Sequence, residues 1–227
     1  MVGAAGSHRQ TAADLVYERL HADIVTLKLL PGEKLSEGEI ARQLDVSRQP
    51  VREAFIRLHN LELLLVQPQR STEVRRISER SIRNARFVRL AVEIEVVRLA
   101  CARGMQSFEA RFRTNLKQQQ SAIKSGNTNR FQELDYKFHR LICQLADCEH
   151  AFETIESSKS QIERLCLLAL SDAQELAVTF EDHCQLVEFI LQKQTAKATS
   201  TMRKHLQRLD AVVEAVKREH TEYFQVE

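Results

Sequence analysis

Hydrophobic positions recur at helical spacing along most of the chain, and the breaks in that spacing divide it into elements. Leu15, Leu20, Ile24 and Leu27 predict a helix over 13–29, which ends at Leu30-Pro31-Gly32 because the proline ring and the turn cannot continue it. Ser36 followed by Glu39 has the form of a capping box and predicts a short second helix with Ile40, Ala41 and Leu44 facing inward. Ser47 is the expected N-cap of a third helix over 48–60, where Pro50 falls in the first turn and its missing N–H costs nothing. Val51, Phe55 and Leu58 form the buried stripe of that helix, so Arg48, Gln49 and Arg52 point outward from its N-terminal half. A short helix, a three-residue turn and a second helix with exposed arginine is the helix-turn-helix plan.

The one strand-like stretch follows: Leu63-Leu64-Leu65-Val66, a turn over Gln67-Pro68-Gln69-Arg70-Ser71, then Thr72-Glu73-Val74-Arg75. An isolated hairpin is marginal, so this two-stranded wing must pack on the three helices, and its tip, with Gln69 and Arg70, is placed to reach a neighbouring groove or phosphate. Beyond it the pattern predicts helix only: 78–103 stopped by Gly104, 107–125 stopped by Gly126, then 128–146, 149–170, 179–194 and 196–221. The predicted fold is all-α with a small β wing. A winged helix-turn-helix domain covers 11–77, an antiparallel helical bundle covers 78–227, and 1–10 form a disordered start.

Composition agrees. All three prolines of the 227 residues lie between 31 and 68, so everything from Gln69 onward lacks a helix-breaking ring. The net charge of +2 hides an asymmetry: residues 1–89 hold 15 Lys and Arg against 11 Asp and Glu, whereas 90–227 hold 18 against 20. Seven arginines fall between Arg70 and Arg89 against two glutamates, which reads either as a basic segment that meets phosphate or as a solvated helix start. The five cysteines are odd in number, widely spaced and set in apolar helical patterns, as reduced core thiols are. No run of about 18 apolar residues occurs and the opening MVGAAGSHRQ lacks the apolar stretch of a secretory signal, which predicts no membrane partner and a cytoplasmic protein.

Three linked motifs carry a family resemblance: Leu30-Pro31-Gly32, Leu35-Ser36-Glu37, and Val46-Ser47-Arg48-Gln49-Pro50-Val51-Arg52-Glu53-Ala54. At this spacing the segment resembles the winged-helix domain of the GntR superfamily of bacterial transcription regulators. The likeness continues into Gln67-Pro68-Gln69-Arg70-Ser71-Thr72, although the family usually has Gly where this sequence has Glu62 and Ser71. It implies that Ser47, Arg48, Gln49, Arg52, Gln69 and Arg70 meet DNA.

The remainder resembles the all-helical FCD-type ligand-binding domain of the FadR-like branch, which often holds a metal through one Asp and three His. The matching residues are Asp135, His139, His183 and His205. Asp135 and His139 are i and i+4 on one helix face. His183 and His205 each lie 10 or 11 residues from the turn at 194–195, roughly 15–17 Å along their helices, so an antiparallel hairpin sets them level. That the first pair faces the second is implied by the resemblance alone. Three imidazoles and a carboxylate suit Zn(II) first, with Ni(II) and Mn(II) as alternatives. The run Arg89-Leu90-Ala91-Val92-Glu93 resembles the first helix of that domain, where an Arg at this position faces the pocket; Arg89 and Glu93 are thus candidate effector residues. The competing reading is an i, i+4 salt bridge on an exposed face.

No G-x-S-x-G elbow, Gly-rich phosphate loop or H-E-x-x-H helix is present, and Cys184 beside His183 should point away from it, about 100° around the helix. The expected protein is therefore not an enzyme. It is a homodimeric, metabolite-responsive repressor that binds double-stranded palindromic operator DNA, associates with the nucleoid when bound, and answers to a small carboxylate effector. The rival is a metal-dependent helical enzyme or metal store with an incidental helix-turn-helix, which leaves the Arg cluster and the recognition-helix motif unexplained.

Overall fold

A computed structural model describes residues 10–66, 71–104, 106–169 and 173–226. The expected disordered start, apart from Gln10, and the wing tip with Gln69 and Arg70 lie outside the described residues. The chain divides into two compact units, Met1–Ile77 with Glu222–Glu227, and Ser78–Thr221. The last residues, expected with the helical bundle, thus belong to the N-terminal unit.

In that unit, helix α1 (Ala12–Val25) starts with a capping box that the sequence reading placed elsewhere. The Thr11 hydroxyl accepts from the Asp14 N–H at 3.1 Å, and the Asp14 carboxylate accepts from the Thr11 N–H at 3.0 Å. Val16, Leu20 and Ile24 face the core, while Leu15, expected inside, is 55% exposed. The helix stops earlier than 29, and Leu27 takes a left-handed φ of 57° in the turn that follows. Helices α2 (Glu37–Gln43) and α3 (Arg48–Asn60) complete the helix-turn-helix. Ser36 and Ser47 occupy the N-cap positions with extended backbones, but neither hydroxyl makes the capping hydrogen bond. Val51, Ala54, Phe55 and Leu58 bury their side chains in the same core as Val16, Leu20 and Ile24, each large apolar residue contributing about 1.5–3 kcal/mol.

The wing is one strand larger than expected. Strand β1 (Lys34–Leu35) pairs antiparallel with β3 (Thr72–Val74), whose other edge pairs with β2 (Leu64–Leu65). Two residues give too little alternation to announce β1 in the sequence. Glu62, where the resemblance leads one to expect Gly, takes φ 57° before β2, so the turn keeps the left-handed backbone without the residue that adopts it freely. Beside the sheet, the Ile77 N–H donates to the Tyr223 carbonyl at 2.8 Å and the Gln225 N–H donates to the Ile77 carbonyl at 2.9 Å, which fixes the C-terminal residues in this unit.

The helical unit comprises α4 (Glu79–Arg103), α5 (Glu109–Lys124), α6 (Thr128–Ala146), α7 (Glu149–Ala169), α8 (Ala173–Leu191), α9 (Thr195–Gln207) and α10 (Leu209–Glu219). Ser78 caps α4 and Gly104 ends it at φ 53°. Val97, Phe112, Phe138, Ile142, Leu186, Ile190 and Met202 meet in its main core. The helix expected over 196–221 is two, interrupted at Arg208, whose guanidinium donates to Asp182 of α8 at 2.7 and 3.2 Å. Neither Pro nor Gly marks that interruption, so the local sequence gives no sign of it. Helix α8 begins six residues before the expected start. Among the described residues no helix is long and apolar enough to cross a membrane.

Candidate metal centre and nucleic-acid interface

Ser47 at the N-cap of α3, and Arg48, Gln49 and Arg52 on it, are all exposed. Gln49 Nε2 donates to Glu53 Oε1 at 2.9 Å, and Arg52 Nη2 lies 3.5 Å from Glu37 Oε2. Exposed pairs of this kind are worth about 0–1 kcal/mol, so either side chain exchanges its partner for a base edge or phosphate at little cost. The helix is oriented by Arg57, whose Nη1 donates to Asp14 Oδ1 at 2.8 Å while its guanidinium carbon sits 3.9 Å from the Tyr17 ring centroid. The two partners of Asp14, the Thr11 cap first and then Arg57, lower its carboxyl to about 2.

In the helical unit Asp135, His139, His183 and His205 converge, each offering one ligand atom, and these atoms lie within 4.8 Å of one another. Asp135 and His139 come from α6, whose inward stripe of Phe131, Leu134, Phe138 and Ile142 carries His139 into the core. His183 of α8 is fully buried and stacks on Phe138 with ring centroids 4.1 Å apart. The His183 and His205 rings are 4.9 Å apart, level across the α8–α9 hairpin. His183 Nε2 and His139 Nε2 lie 3.4 and 3.6 Å from Asp135 Oδ1. His183 Nε2 is buried without a hydrogen-bond partner, a costly arrangement unless something else occupies its lone pair.

Each imidazole has an oxygen facing its other nitrogen, and each oxygen comes from a different residue. His139 Nδ1 meets the Glu93 carboxylate, His183 Nδ1 lies 2.8 Å from Gln119 Oε1, and His205 Nδ1 lies 3.8 Å from Asp182 Oδ2. Those oxygens are themselves held: Glu93 by Arg89 Nε at 2.5 Å, Asp182 by Arg208, and Gln119 through its amide nitrogen, which donates to Asn115 Oδ1 at 2.6 Å. Asn115 in turn donates to the Leu134 carbonyl at 3.0 Å. At His183 the acceptor on Nδ1 places the ring proton there and leaves the Nε2 lone pair facing Asp135, the arrangement that a ligating histidine requires.

The electrostatics favour neutral rings at two of the three positions. Burial, reinforced by the neighbouring His205, presses His183 well below the ordinary imidazole range, and burial likewise lowers His205 against the pull of Asp182. Burial also opposes the charged form of His139, but Glu93 and Asp135 outweigh it and raise this ring. Burial works to raise Asp182, yet His205 and Arg208 prevail and hold it at about 2.

Arg89 and Glu93 do not form the surface pair that was the alternative: they are 8% and 2% exposed. Arg89 Nη2 lies 3.4 Å from His139 Nε2, at the edge of the cluster, while Glu93 is engaged by His139 and Arg89. Sequence reading missed Gln119, Asn115, Asp182 and Arg208. A signal existed for the first two, which share the buried stripe of α5 with Phe112 and Ala122, where an amide needs a partner. Cys184 is half-buried and stands outside the cluster.

Residues 85–208 match the FCD domain model, and residues 12–74 match the model of bacterial regulatory proteins, gntR family. The chain is 34% identical over 212 residues to the HTH-type transcriptional repressor RspR of Escherichia coli (strain K12), covering 93% of each chain. It is 27% identical over 203 residues to the Nta operon transcriptional regulator of Aminobacter aminovorans, covering 88% of this chain and 94% of that one. The solved structure of E. coli McbR/YncC shares the fold, with a TM-score of 0.75 at 22% identity over 90% of this chain and 98% of that one.

Proposed function

The chain belongs to the GntR family of bacterial regulatory proteins and carries an FCD domain; from that premise we propose a metal-dependent, carboxylate-responsive repressor that acts as a homodimer on a palindromic operator. DNA binding and transcription regulation are the activity of this family. Repression is supported by the name of the relative at 34% identity. A dimer follows from what one helix can read: α3 presents about three or four side chains to base edges, and two copies related by a two-fold axis double that number on a symmetric site. Ser47, Arg48, Gln49 and Arg52 are the residues we assign to the major groove, and Gln69 and Arg70 to the wing contact. Such a protein works on chromosomal DNA in the cytoplasm.

One observation carries the metal assignment: Asp135, His139, His183 and His205 each offer a ligand atom to one buried space, and His183 Nε2 lies there without a hydrogen-bond partner. That donor set fits one Zn(II), Ni(II) or Mn(II) per chain, Zn(II) being the first choice. When bound, the ion supplies a fixed positive charge that attracts a carboxylate. Arg89 adds a guanidinium at the edge of the same space, suited to a charge-assisted contact with the effector acid. Glu93, first considered an effector residue, is assigned to holding His139 and Arg89 in place. Helix α4 starts just after Ile77 and bears both residues, so a shift at the site has a continuous helix to act on. A tenfold change in operator affinity requires about 1.4 kcal/mol of difference in effector binding between the two arrangements.

The test is elemental analysis of purified wild type and of a His183→Ala, His205→Ala double variant, followed by gel-shift titration of both with duplex fragments selected for binding. The expected result is one divalent ion per wild-type chain, none in the variant, and a response of DNA affinity to organic acids in the wild type alone. Equal metal content in both proteins overturns the site.

A further inference from the structure

We propose that the exposed groove between α5 and α6 binds a small multivalent anion, at a place separate from the imidazole cluster. The groove encloses about 510 Å³ and its walls include Arg111, Asn115 and Gln118 of α5 and Lys137 and Arg140 of α6, with no carboxylate among the lining residues. Its size is within the roughly 300–1,000 Å³ of small-molecule sites.

The groove gathers three cations with no carboxylate among its lining residues. Arg98 pairs with Glu95, Arg103 with Asp147, Arg113 with Glu109 and Arg130 with Glu133, all on the same helical unit. Among the described residues Arg111, Lys137 and Arg140 form no ion pair, although all three open onto one groove. Two are oriented by neutral groups instead. Arg111 Nη2 donates to Gln144 Oε1 at 2.7 Å with its guanidinium carbon 4.9 Å from the Phe108 ring, and the Arg140 guanidinium carbon is 5.6 Å from the Phe152 ring. These contacts hold the side chains without neutralising them. Three like charges gathered along a concave surface repel one another and focus a positive potential, and an anion seated between them removes the repulsion while it gains charge-assisted hydrogen bonds.

The wall behind them is rigid. Asn115 is buried, and both ends of its amide are committed, to the Leu134 carbonyl and to Gln119. Arg111, Gln118, Lys137 and Arg140 therefore project from a fixed polar surface. The ligand chemistry this fits is two or more negative charges within a few ångströms, whether in a phosphoryl group or in a dicarboxylate. None of Asp135, His139, His183 and His205 lines the groove, and its three cations make no ion pair or hydrogen bond with them, so the charges that would bind the anion are separate from the metal reading.

The experiment is titration calorimetry on the full chain at low ionic strength, with inorganic phosphate in one arm and succinate in the other. Saturable binding of one anion per chain is expected with at least one probe, and the arm that responds identifies the anion class. An Arg111→Gln, Lys137→Gln, Arg140→Gln triple variant should bind about tenfold more weakly or worse, and Arg111→Lys with Arg140→Lys should retain binding. The His183→Ala, His205→Ala variant should bind as the wild type does. Should the triple variant prove unfolded by circular dichroism, Lys137→Glu alone, an exposed substitution, must reduce binding in the same direction. The proposal is overturned if neither probe binds saturably, if the charge-removing variants bind like wild type, or if loss of the two histidines abolishes binding.

Discussion

The exposed half of α3 and the interior of the helical unit place their chemistry in opposite environments. Arg48, Gln49 and Arg52 stand in solvent, held by a surface hydrogen bond and a long ion pair, whereas His139 and His183 are 2% and 0% exposed and each is met by an oxygen from another helix. A solvated group needs no partner until its ligand arrives, so the proposed recognition surface can be changed with little effect on folding. A buried polar group must be partnered in the folded chain, so the second site cannot be altered without altering what surrounds it.

Removal of the proposed metal should give the largest effect. A ligand at a thousand times its dissociation constant stabilises the state that binds it by about 4 kcal/mol, and stripping with a chelator removes that contribution. Thermal melting should fall by the corresponding amount, and amide exchange should quicken in α6, α8 and α9 while α1 and α3 keep their protection. Equal loss of protection in both units breaks the contrast between them.

Next come the arginines. Arg48→Ala and Arg52→Ala should each cost about 1–3 kcal/mol of operator affinity where they read a base, with the melting temperature unchanged. If one instead contacts only phosphate, the salt dependence flattens by about one unit. A melting shift comparable to the affinity loss means that these side chains support the fold, against the exposure they show.

What the sequence discloses follows the same division. The helix-turn-helix is legible because its signals are contiguous: Val46 to Ala54 contains the cap position, the first-turn proline, the apolar stripe and the outward arginines. In the helical unit, i, i+4 spacing relates Asp135 to His139, and counting from a hairpin turn relates His183 to His205. The partners across the bundle have no such rule. Gln119 under His183, Asp182 beside Arg208, the short strand β1 and the return of Phe224 to Ile77 are all pairings of distant segments, to which periodicity is blind. The interruption at Arg208 belongs with them, since it coincides with a contact to α8.

Gln119 tests whether the oxygens behind the imidazoles matter as much as the ligands. Gln119→Ala leaves the proposed metal donors intact but removes the acceptor at His183 Nδ1 and the donor to Asn115. Loss of such a partner lowers metal affinity by about 10–100-fold. Competition with a chromophoric chelator measures this directly, and Gln119→Glu, which keeps an oxygen facing the ring, should recover most of it. Unaltered affinity in Gln119→Ala reduces this amide to packing and leaves the centre supported by Glu93 and Asp182.

The smallest expected effect lies in the N-terminal unit. Asp14 caps α1 and pairs with Arg57 of α3, and these partners hold its carboxyl at about 2, below its ordinary 3.8. A carboxylate depressed in the folded chain contributes stability that is present above its unfolded pKa and is lost as pH falls through the folded one, here between about 4 and about 2. Asp14→Asn should therefore loosen the α1 amides at pH 5, measured by hydrogen exchange against wild type, and the difference should shrink as both proteins are brought toward pH 2. The group is solvated, so the change is confined to α1 and its contact with α3, with the imidazole cluster unaffected. A difference between wild type and variant that stays constant across that range would show that the cap acts through helix geometry alone and not through the charge of the carboxylate.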